Sequence, residues 1–346
     1  MRRLATLLCF FFSLTSSARS LSPSEFATLI AELSEPEGYF DTDNLISNES
    51  TFLAIAQRLR TLPRGGVYLG VGPDQNYSYI AQLRPQFAFI VDVRRGNLLE
   101  HLLFRSLFAQ SRNRLEYLCL LLGRATPEDL AGWDERSLPE LVNYLDKAPR
   151  MASFAPLKDP GIPLSNDDRK TIAGFHKRFT TDGLDLRFNS HGREPRPYYP
   201  RLRNLVLATD AAGKLASYLA REEDFRYVQL MHRENRIVPV VANLAGDKSL
   251  RAIADFVRRE KLTVSAFYTS NVEQYLYRGR ELVQFVANLQ SLPTTPQSLI
   301  IRSGMGPYAR GNTYSDQLTQ PLESFLADWT AGRLRSYPDL IQASRP

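Results

Sequence analysis

The sequence predicts an α/β fold in which a mainly parallel sheet is covered by helices on both faces. Short apolar segments such as 87–93 and 236–244 are rich in β-forming residues and alternate with amphipathic helical segments. This alternation is typical of βαβ units, whose strands pair in parallel and are buried on both sides. The chain has 346 residues, of which 43% are hydrophobic, so it is long enough to bury a large core.

The first predicted helix begins at Ser22, because Ser22, Pro23 and Glu25 form a capping box with proline at the first helical position. A polar stretch over 41–50 precedes a second helix. A strand is expected over 67–70, a helix over 77–83 and a strand over 87–93. Asn97 is the expected cap of the long apolar helix that follows.

A different composition marks the segment from about 123 to 200, which is rich in proline and lacks strand alternation. We interpret it as a helical or irregular insertion in a single domain over 21–346. The α/β alternation resumes after it, and Asp247 is the expected cap of one helix. The remaining expectations are a mostly helical segment over 204–235, strands over 236–244, 262–271 and 297–303, and helices over 247–261, 279–290 and 321–332.

The N-terminus has the pattern of a signal peptide over residues 1–18. Arg2 and Arg3 precede an apolar run over 4–14, and Ser16 and Ala18 are small residues at the spacing of a cleavage site. The run is too short to span a bilayer. We therefore expect an exported protein, periplasmic or secreted, without a transmembrane span after cleavage. The alternative is a buried N-terminal helix of a cytoplasmic protein.

A glycine turn follows the first predicted sheet strand, in the sequence YLGVGPDQN. Without side chains, Gly70 and Gly72 let backbone N–H groups approach a ligand closely. The dinucleotide fingerprint needs a third glycine where Gln75 stands, which counts against NAD and FAD. Asp92 ends the second strand about 20 residues further on, where an acid can accept ribose hydroxyls. This combination fits a nucleoside-like cofactor, whereas the alternative is a tight turn beside a solvated Asp92.

The order of these segments resembles the class I S-adenosylmethionine-dependent methyltransferase fold, a Rossmann-like fold. YLGVGPDQN is similar to the first motif of that family and FIVDV to the second, while VVANLAGD and AFYTSNVEQYL lie at the ends of the third and fourth strands. The motifs DNLISNE, GVGPDQN and FYTSNVEQYL also resemble an uncharacterised bacterial family of this fold. This second resemblance implies no activity.

The resemblance implies a role for each matched residue. Gly70 and Gly72 would pass under the amino-acid part of S-adenosylmethionine, and Asp92 would bind its ribose. Either Asn243 or Asp247 would face the adenine, although Asp247 is also the expected helix cap. Two further residues of the first motif are assigned to the cofactor site, Asp74 and Asn76.

Chemistry is expected at the end of the fourth strand. Glu273 is a candidate base, Asn271 can orient an acceptor by hydrogen bonds, and Tyr268 lies beside them in the sequence. The alternative is that Asn271 caps the next helix and Glu273 occupies its first turn.

Two further segments are candidates for ligand contacts. DNLISNE can fold over the cofactor as a lid that supplies Asn44, Asn48 and Glu49, or it can be an ordinary polar loop. The segment 188–203 carries four arginines among tyrosines and can bind an acidic or aromatic acceptor. Its alternative is a solvated loop. These arginines are Arg193, Arg196, Arg201 and Arg203.

Two functions follow from these observations. The first is a methyltransferase-like protein with a site for S-adenosylmethionine. The second is an exported binding or scaffold protein that uses the same fold without the cofactor, which the signal favours because S-adenosylmethionine is a cytoplasmic metabolite. The four histidines lack metal-ligand spacing, so no metal is expected. A net charge of +6 is too weak to indicate nucleic-acid binding. It is compatible with a small or acidic substrate.

Overall fold

A six-stranded sheet forms the centre of the molecule in the computed structural model, which describes residues 19–151, 157–158, 161–191, 193–310 and 313–345. The strand order is β3-β2-β1-β4-β5-β6, in which the first five strands are parallel and β6 is antiparallel to β5. The prediction of a mainly parallel α/β sheet is therefore confirmed. The strands are β1 (Val67–Val71), β2 (Phe87–Asp92), β3 (Ile237–Val241), β4 (Val264–Ser270), β5 (Thr294–Met305) and β6 (Ser315–Pro321).

Helices surround this sheet in the part of the chain that the structure describes. They are α1 (Pro23–Leu33), α2 (Ala56–Arg60), α3 (Gln75–Leu83), α4 (Arg95–Gln110), α5 (Arg114–Leu122), α6 (Leu138–Lys147), α7 (Asn166–Asp182), α8 (Leu202–Val206), α9 (Glu222–Arg233), α10 (Ser249–Arg259), α11 (Val272–Gly279), α12 (Leu282–Ser291), α13 (Leu322–Thr330) and α14 (Tyr337–Ala343).

Two groups of helices pack together. α3, α4 and α9 contact one another, and α1, α10 and α12 form a second contacting series. β1 and β3 are buried along their whole length, which explains why their sequences are almost continuously apolar. The buried side chains form a single hydrophobic cluster that extends from Leu21 to Ile341.

The predicted helix starts were right for α1 and wrong for α4 and α10. Ser22 and Glu25 form the expected capping box of α1. α4 begins before Asn97, because the backbone N–H of Arg94 donates to Asp92 and fixes the chain just ahead of the helix. Asn97 lies inside the helix. Its buried amide has no hydrogen-bond partner among the described residues.

α10 is capped from a distant part of the chain rather than by Asp247. The Glu35 carboxylate accepts hydrogen bonds from the backbone N–H groups of Ser249 at 2.7 Å and Lys248 at 3.3 Å. Asp247 is exposed. A cap supplied across more than 200 positions leaves no local sequence signal.

The structure also differs from the predicted secondary structure in other segments. The segment 204–235 is helical only in α8 and α9, with turns between them. β6 was not predicted, because Leu318 is its only aliphatic residue and its backbone pairing depends on β5. α14 was not predicted either. The segment 123–200 contains α6, α7 and a short 3₁₀ turn, and contributes no strand to the sheet within the described residues.

No helix among the described residues has both the length and the apolar character needed to cross a membrane. The predicted signal peptide, residues 1–18, lies outside the described residues.

Candidate functional site

A cleft of about 410 Å³ opens at the carboxyl ends of the parallel strands. Residues at or just after the ends of β1, β2, β3, β4 and β5 line it. In an open α/β sheet, ligands bind at the carboxyl ends of the strands, at the position where the strand order reverses. The volume is within the range of small-molecule sites. The strand-end residues that line the cleft include Gly72, Asp92, Asn243, Ser270 and Met305.

The two glycines of the turn have different surroundings. Gly72 lines the cleft and has a φ of 84°, a backbone conformation that residues other than glycine rarely adopt. Gly70 does not line it, and a side-chain carbon there would overlap Asn76 and the Tyr68 hydroxyl. Gly70 therefore makes room for the packing beneath the turn, and Gly72 presents backbone to the cleft.

Asn76 supports the glycine turn from below. Its side-chain NH₂ donates to the carbonyls of Val71 at 2.9 Å and Pro73 at 2.7 Å, and its Oδ1 accepts from the Tyr68 hydroxyl at 2.6 Å. The residue is completely buried and does not line the cleft. Asn76 thus positions the turn, whereas the sequence assigned it to the cofactor.

Asp74 also points away from the cleft. It accepts a hydrogen bond from the Tyr218 hydroxyl at 3.1 Å and borders a small separate cavity. Burial raises the pKa of Asp74 to about 6, although the Tyr218 hydrogen bond opposes this shift. It has no access to a ligand bound against Gly72.

Asp92 lines the cleft but is already paired. Arg94 holds its carboxylate with three hydrogen bonds: Oδ1 accepts from the Arg94 backbone N–H at 2.9 Å and from Nε at 3.0 Å, and Oδ2 accepts from Nη2 at 2.7 Å. A carboxylate offers about four acceptor positions, so roughly one remains on Oδ2. Asp92 is therefore not simply exposed to solvent. It also cannot accept both hydroxyls of a ribose while Arg94 stays in place.

The two residues considered for adenine lie apart. Asn243 lines the cleft, where its Oδ1 accepts from the backbone N–H of Ala245 at 3.0 Å and leaves its NH₂ available. Asp247 does not line the cleft. The geometry is compatible with a ligand contact for Asn243 only.

Of the three residues predicted for chemistry, two line the cleft and one does not. Tyr268 and Asn271 line the cleft, but Glu273 does not. Glu273 is fully buried on α11, where it accepts from Arg302 Nε at 2.7 Å and from the Thr269 hydroxyl at 3.3 Å. Burial raises the pKa of Glu273, whereas Arg302 lowers it. An acid in this position has no route to a ligand in the cleft.

The three lid candidates lie together on the cleft wall. Asn44, Asn48 and Glu49 all line it. Their segment is attached along the sheet edge: Gly38 N–H donates to the Val93 carbonyl at 2.8 Å, and the Thr51 hydroxyl donates to the Ser315 carbonyl at 2.6 Å. Residues 38–51 thus form a wall that is hydrogen-bonded at both ends.

Glu49 is the most extensively bonded group in the cleft. Its Oε1 accepts from the hydroxyls of Tyr268 at 2.7 Å and Ser270 at 2.6 Å. Its Oε2 accepts from the side-chain amides of Gln317 at 2.6 Å and Gln75 at 3.4 Å. Burial first, and the negative charge of Glu49 second, raise the pKa of Tyr268 well above its ordinary value. Tyr268 therefore keeps its proton and acts as a donor, not as a base.

Sequence reasoning missed Gln75 and Ser270 as site residues. Gln75 occupies the place of the third glycine, and its amide donates to both Tyr268 and Glu49. The departure from the glycine pattern was the available signal. Ser270 has a φ of 52° at the end of β4, a backbone conformation that the sequence does not reveal.

Aromatic and basic side chains line the more exposed part of the cleft. Phe40 packs edge-on against Tyr275 with ring centroids 5.2 Å apart, and Tyr199 packs against Tyr314 at 5.9 Å. Of the four arginines predicted as a patch, two line the cleft and two do not. Arg193, paired with Asp41, and Arg196 line it, whereas Arg201 pairs with Asp185 and Arg203 with Asp146.

The chain belongs to a family described as a domain of unknown function (DUF7790), which matches residues 44–131 and 169–333. The match covers more than half of the chain and includes the glycine turn, the ends of β2, β3 and β4, and most of the cleft wall. A comparison with curated proteins finds no match. Among the described residues, no group of three or more histidine, cysteine or acidic side chains is arranged to hold a metal ion.

Proposed function

We propose that this protein binds S-adenosylmethionine, or a nucleoside-like molecule of similar shape, in the cleft and serves as a methyltransferase-like protein. One observation carries the proposal: Gly72 and Asp92, at the ends of the paired strands β1 and β2, line the same cleft. Backbone at Gly72 can approach a ligand closely, and Asp92 keeps one acceptor for a ribose hydroxyl. The strand order, with an antiparallel last strand, is compatible with this fold family.

Each lining residue takes a role that its contacts permit. The free NH₂ of Asn243 contacts the adenine. Asn271, which makes no side-chain cap for α11, orients the methyl acceptor. Tyr268 keeps its proton because its pKa is raised, and it donates that hydrogen bond to Glu49. Methyl transfer relies mainly on alignment of the acceptor, and the two acids in the buried part of the cleft, Glu49 and Asp92, are already hydrogen-bonded, so this part of the site is suited to an acceptor that needs no proton removed.

The binding test is a calorimetric titration of the chain without residues 1–18. Saturable binding of S-adenosylmethionine is expected. Asp92→Asn should weaken it about tenfold or more, because a hydrogen bond to a charged acceptor contributes about 1.5–3 kcal/mol. Asp247→Asn is the matched control, since it removes the same charge outside the cleft. Absence of binding at millimolar ligand would overturn the proposal.

A non-catalytic binding or scaffold protein is the second candidate function. It is favoured because both acids that line the buried part of the cleft are already hydrogen-bonded within the protein. Glu49 accepts from four donors, and Asp92 accepts from Arg94. This candidate predicts no affinity for S-adenosylmethionine and equal behaviour of the Asp92→Asn and Asp247→Asn variants. The same titration therefore separates the two functions.

Export is proposed on the N-terminal sequence alone. The native protein should begin at Arg19, because cleavage after Ala18 follows the predicted signal. N-terminal sequencing of protein isolated from its host tests this. An intact Met1 would contradict it.

A further inference from the structure

Glu49 is a buried acid whose carboxylate, among the described residues, accepts its hydrogen bonds from uncharged side chains. Only 1% of the residue is exposed, although it lines the cleft. Its four partners are two hydroxyls and two amides. Buried charges in proteins are usually paired with an opposite charge, so this arrangement requires an explanation.

Hydrogen-bond donors surround the carboxylate of Glu49. Each of the four contacts can donate a hydrogen bond, two to each carboxylate oxygen. Tyr268 remains protonated because burial and the charge of Glu49 raise its pKa, so it continues to donate. The four donors thus satisfy the Glu49 carboxylate, but none of them carries a positive charge.

Two residues with an unusual backbone conformation also lie at the cleft. Six described residues other than glycine have positive φ, and four of them follow helix ends: Arg84, Asn235, Lys261 and Arg280. The other two, Asn44 and Ser270, both line the cleft. Ser270 is also a donor to Glu49. Strained residues persist where the surrounding structure enforces them, and they cluster at ligand sites.

The charge opposite to Glu49 can come from a ligand. The arginines that line the cleft lie in its exposed part, where Arg193 pairs with Asp41 and Arg196 contacts the Tyr198 hydroxyl. Arg94 is engaged with Asp92. The buried part of the cleft thus has negative charge from Glu49 and an aromatic ring from Tyr268, which also favours cations.

We propose that Glu49 is the counter-ion for a positively charged group of the ligand. The proposal rests on the proposed function and specifies it: in S-adenosylmethionine the charged group is the sulfonium. Because Glu49 acts through its charge in a site shielded from water, it needs no free acceptor position. Glu49 is a specificity-determining residue here and takes no part in proton transfer.

The experiment compares S-adenosylmethionine with S-adenosylhomocysteine, which is neutral at the same sulfur. Calorimetry is carried out on the wild type and on Glu49→Gln, Glu49→Asp and Glu281→Gln. Glu281 is the matched control, since it is an exposed acid lining the same cleft. Circular dichroism checks that each variant is folded. Glu49→Asp keeps the charge if Glu49→Gln does not fold.

The wild type should prefer S-adenosylmethionine by about tenfold or more. Glu49→Gln should remove most of this preference, whereas Glu281→Gln and Glu49→Asp should retain it. Binding of both ligands with a ratio unchanged in Glu49→Gln would overturn the role of Glu49 and leave the proposed function standing. Absence of binding by both ligands would overturn both.

Discussion

Glu49 and Glu273 are both buried glutamates near the end of β4, but their charges are balanced differently. Glu273 is paired with Arg302 at 2.7 Å in a completely buried ion pair. Glu49 accepts hydrogen bonds from four neutral groups and lines the cleft. The ion pair is complete within the chain, whereas Glu49 leaves its charge available to a molecule in the cleft.

The sequence made Glu273 the candidate base, whereas the structure places it outside the cleft. Glu273 lies in a motif at a strand end, where ligand-contacting residues are common. Its partner Arg302 lies on β5 and turns it into a structural residue. Arg302 additionally donates to Gln320 and Ser344, so the ion pair connects β5 to β6 and the C-terminal end of α14.

The largest effect is expected from breaking the complete pair. Arg302→Met leaves Glu273 buried without a cation, which should lower the free energy of unfolding by about 3–5 kcal/mol. Because Glu273 can then bind a proton, the loss should shrink as the pH falls. Urea unfolding at several pH values measures both effects. The double variant Arg302→Met with Glu273→Gln should recover part of the stability, and a double variant no more stable than the single one would contradict this account.

An intermediate effect is expected at Asp74, an acid that has one side-chain donor and no paired cation among the described residues. Its pKa is raised from 3.8 to about 6 by burial, so the folded state binds a proton more tightly than the unfolded state. Its contribution is therefore greatest below about pH 4 and is lost as the pH rises through about 6. The total change should be at most about 3 kcal/mol. Asp74→Asn should remove this pH dependence in urea unfolding, and a dependence equal to that of the wild type would be contrary to expectation.

The smallest effect on stability is expected at Glu49 in the absence of ligand. In Glu49→Gln, a new NH₂ can donate to the hydroxyl oxygens of Tyr268 and Ser270, which can act as acceptors. The free energy of unfolding should change by about 1 kcal/mol or less. Thermal and urea unfolding measure it. A loss as large as that of Arg302→Met would show that the Glu49 centre is mainly structural.

The sequence was sufficient to predict the parts of the fold that depend on local pattern. The apolar runs of β1 and β2, the glycine turn between β1 and α3 and the capping box of α1 all depend on neighbouring residues. The cap of α10 and the pairing of β6 depend on residues far away in the sequence, Glu35 and β5. They could not be predicted from local signals.

The candidate site was predictable in outline for a similar reason. Parallel strands bring their carboxyl ends to one edge, so Gly72, Asp92 and Asn243 were expected together and all line the cleft. The sequence does not show that Arg94 donates hydrogen bonds to the Asp92 carboxylate. Nor does it show that Gln317, which lies 268 positions from Glu49, donates to Glu49. These contacts change the chemistry of the site, and they follow from tertiary packing.

The most direct test of the account is a crystal structure of the protein with S-adenosylmethionine. We expect the ligand in the cleft, with a ribose hydroxyl on Asp92 Oδ2 and the sulfonium on the side of Glu49. An empty cleft in crystals soaked at saturating ligand would contradict the account, as would a ligand whose sulfonium faces the arginines of the exposed part.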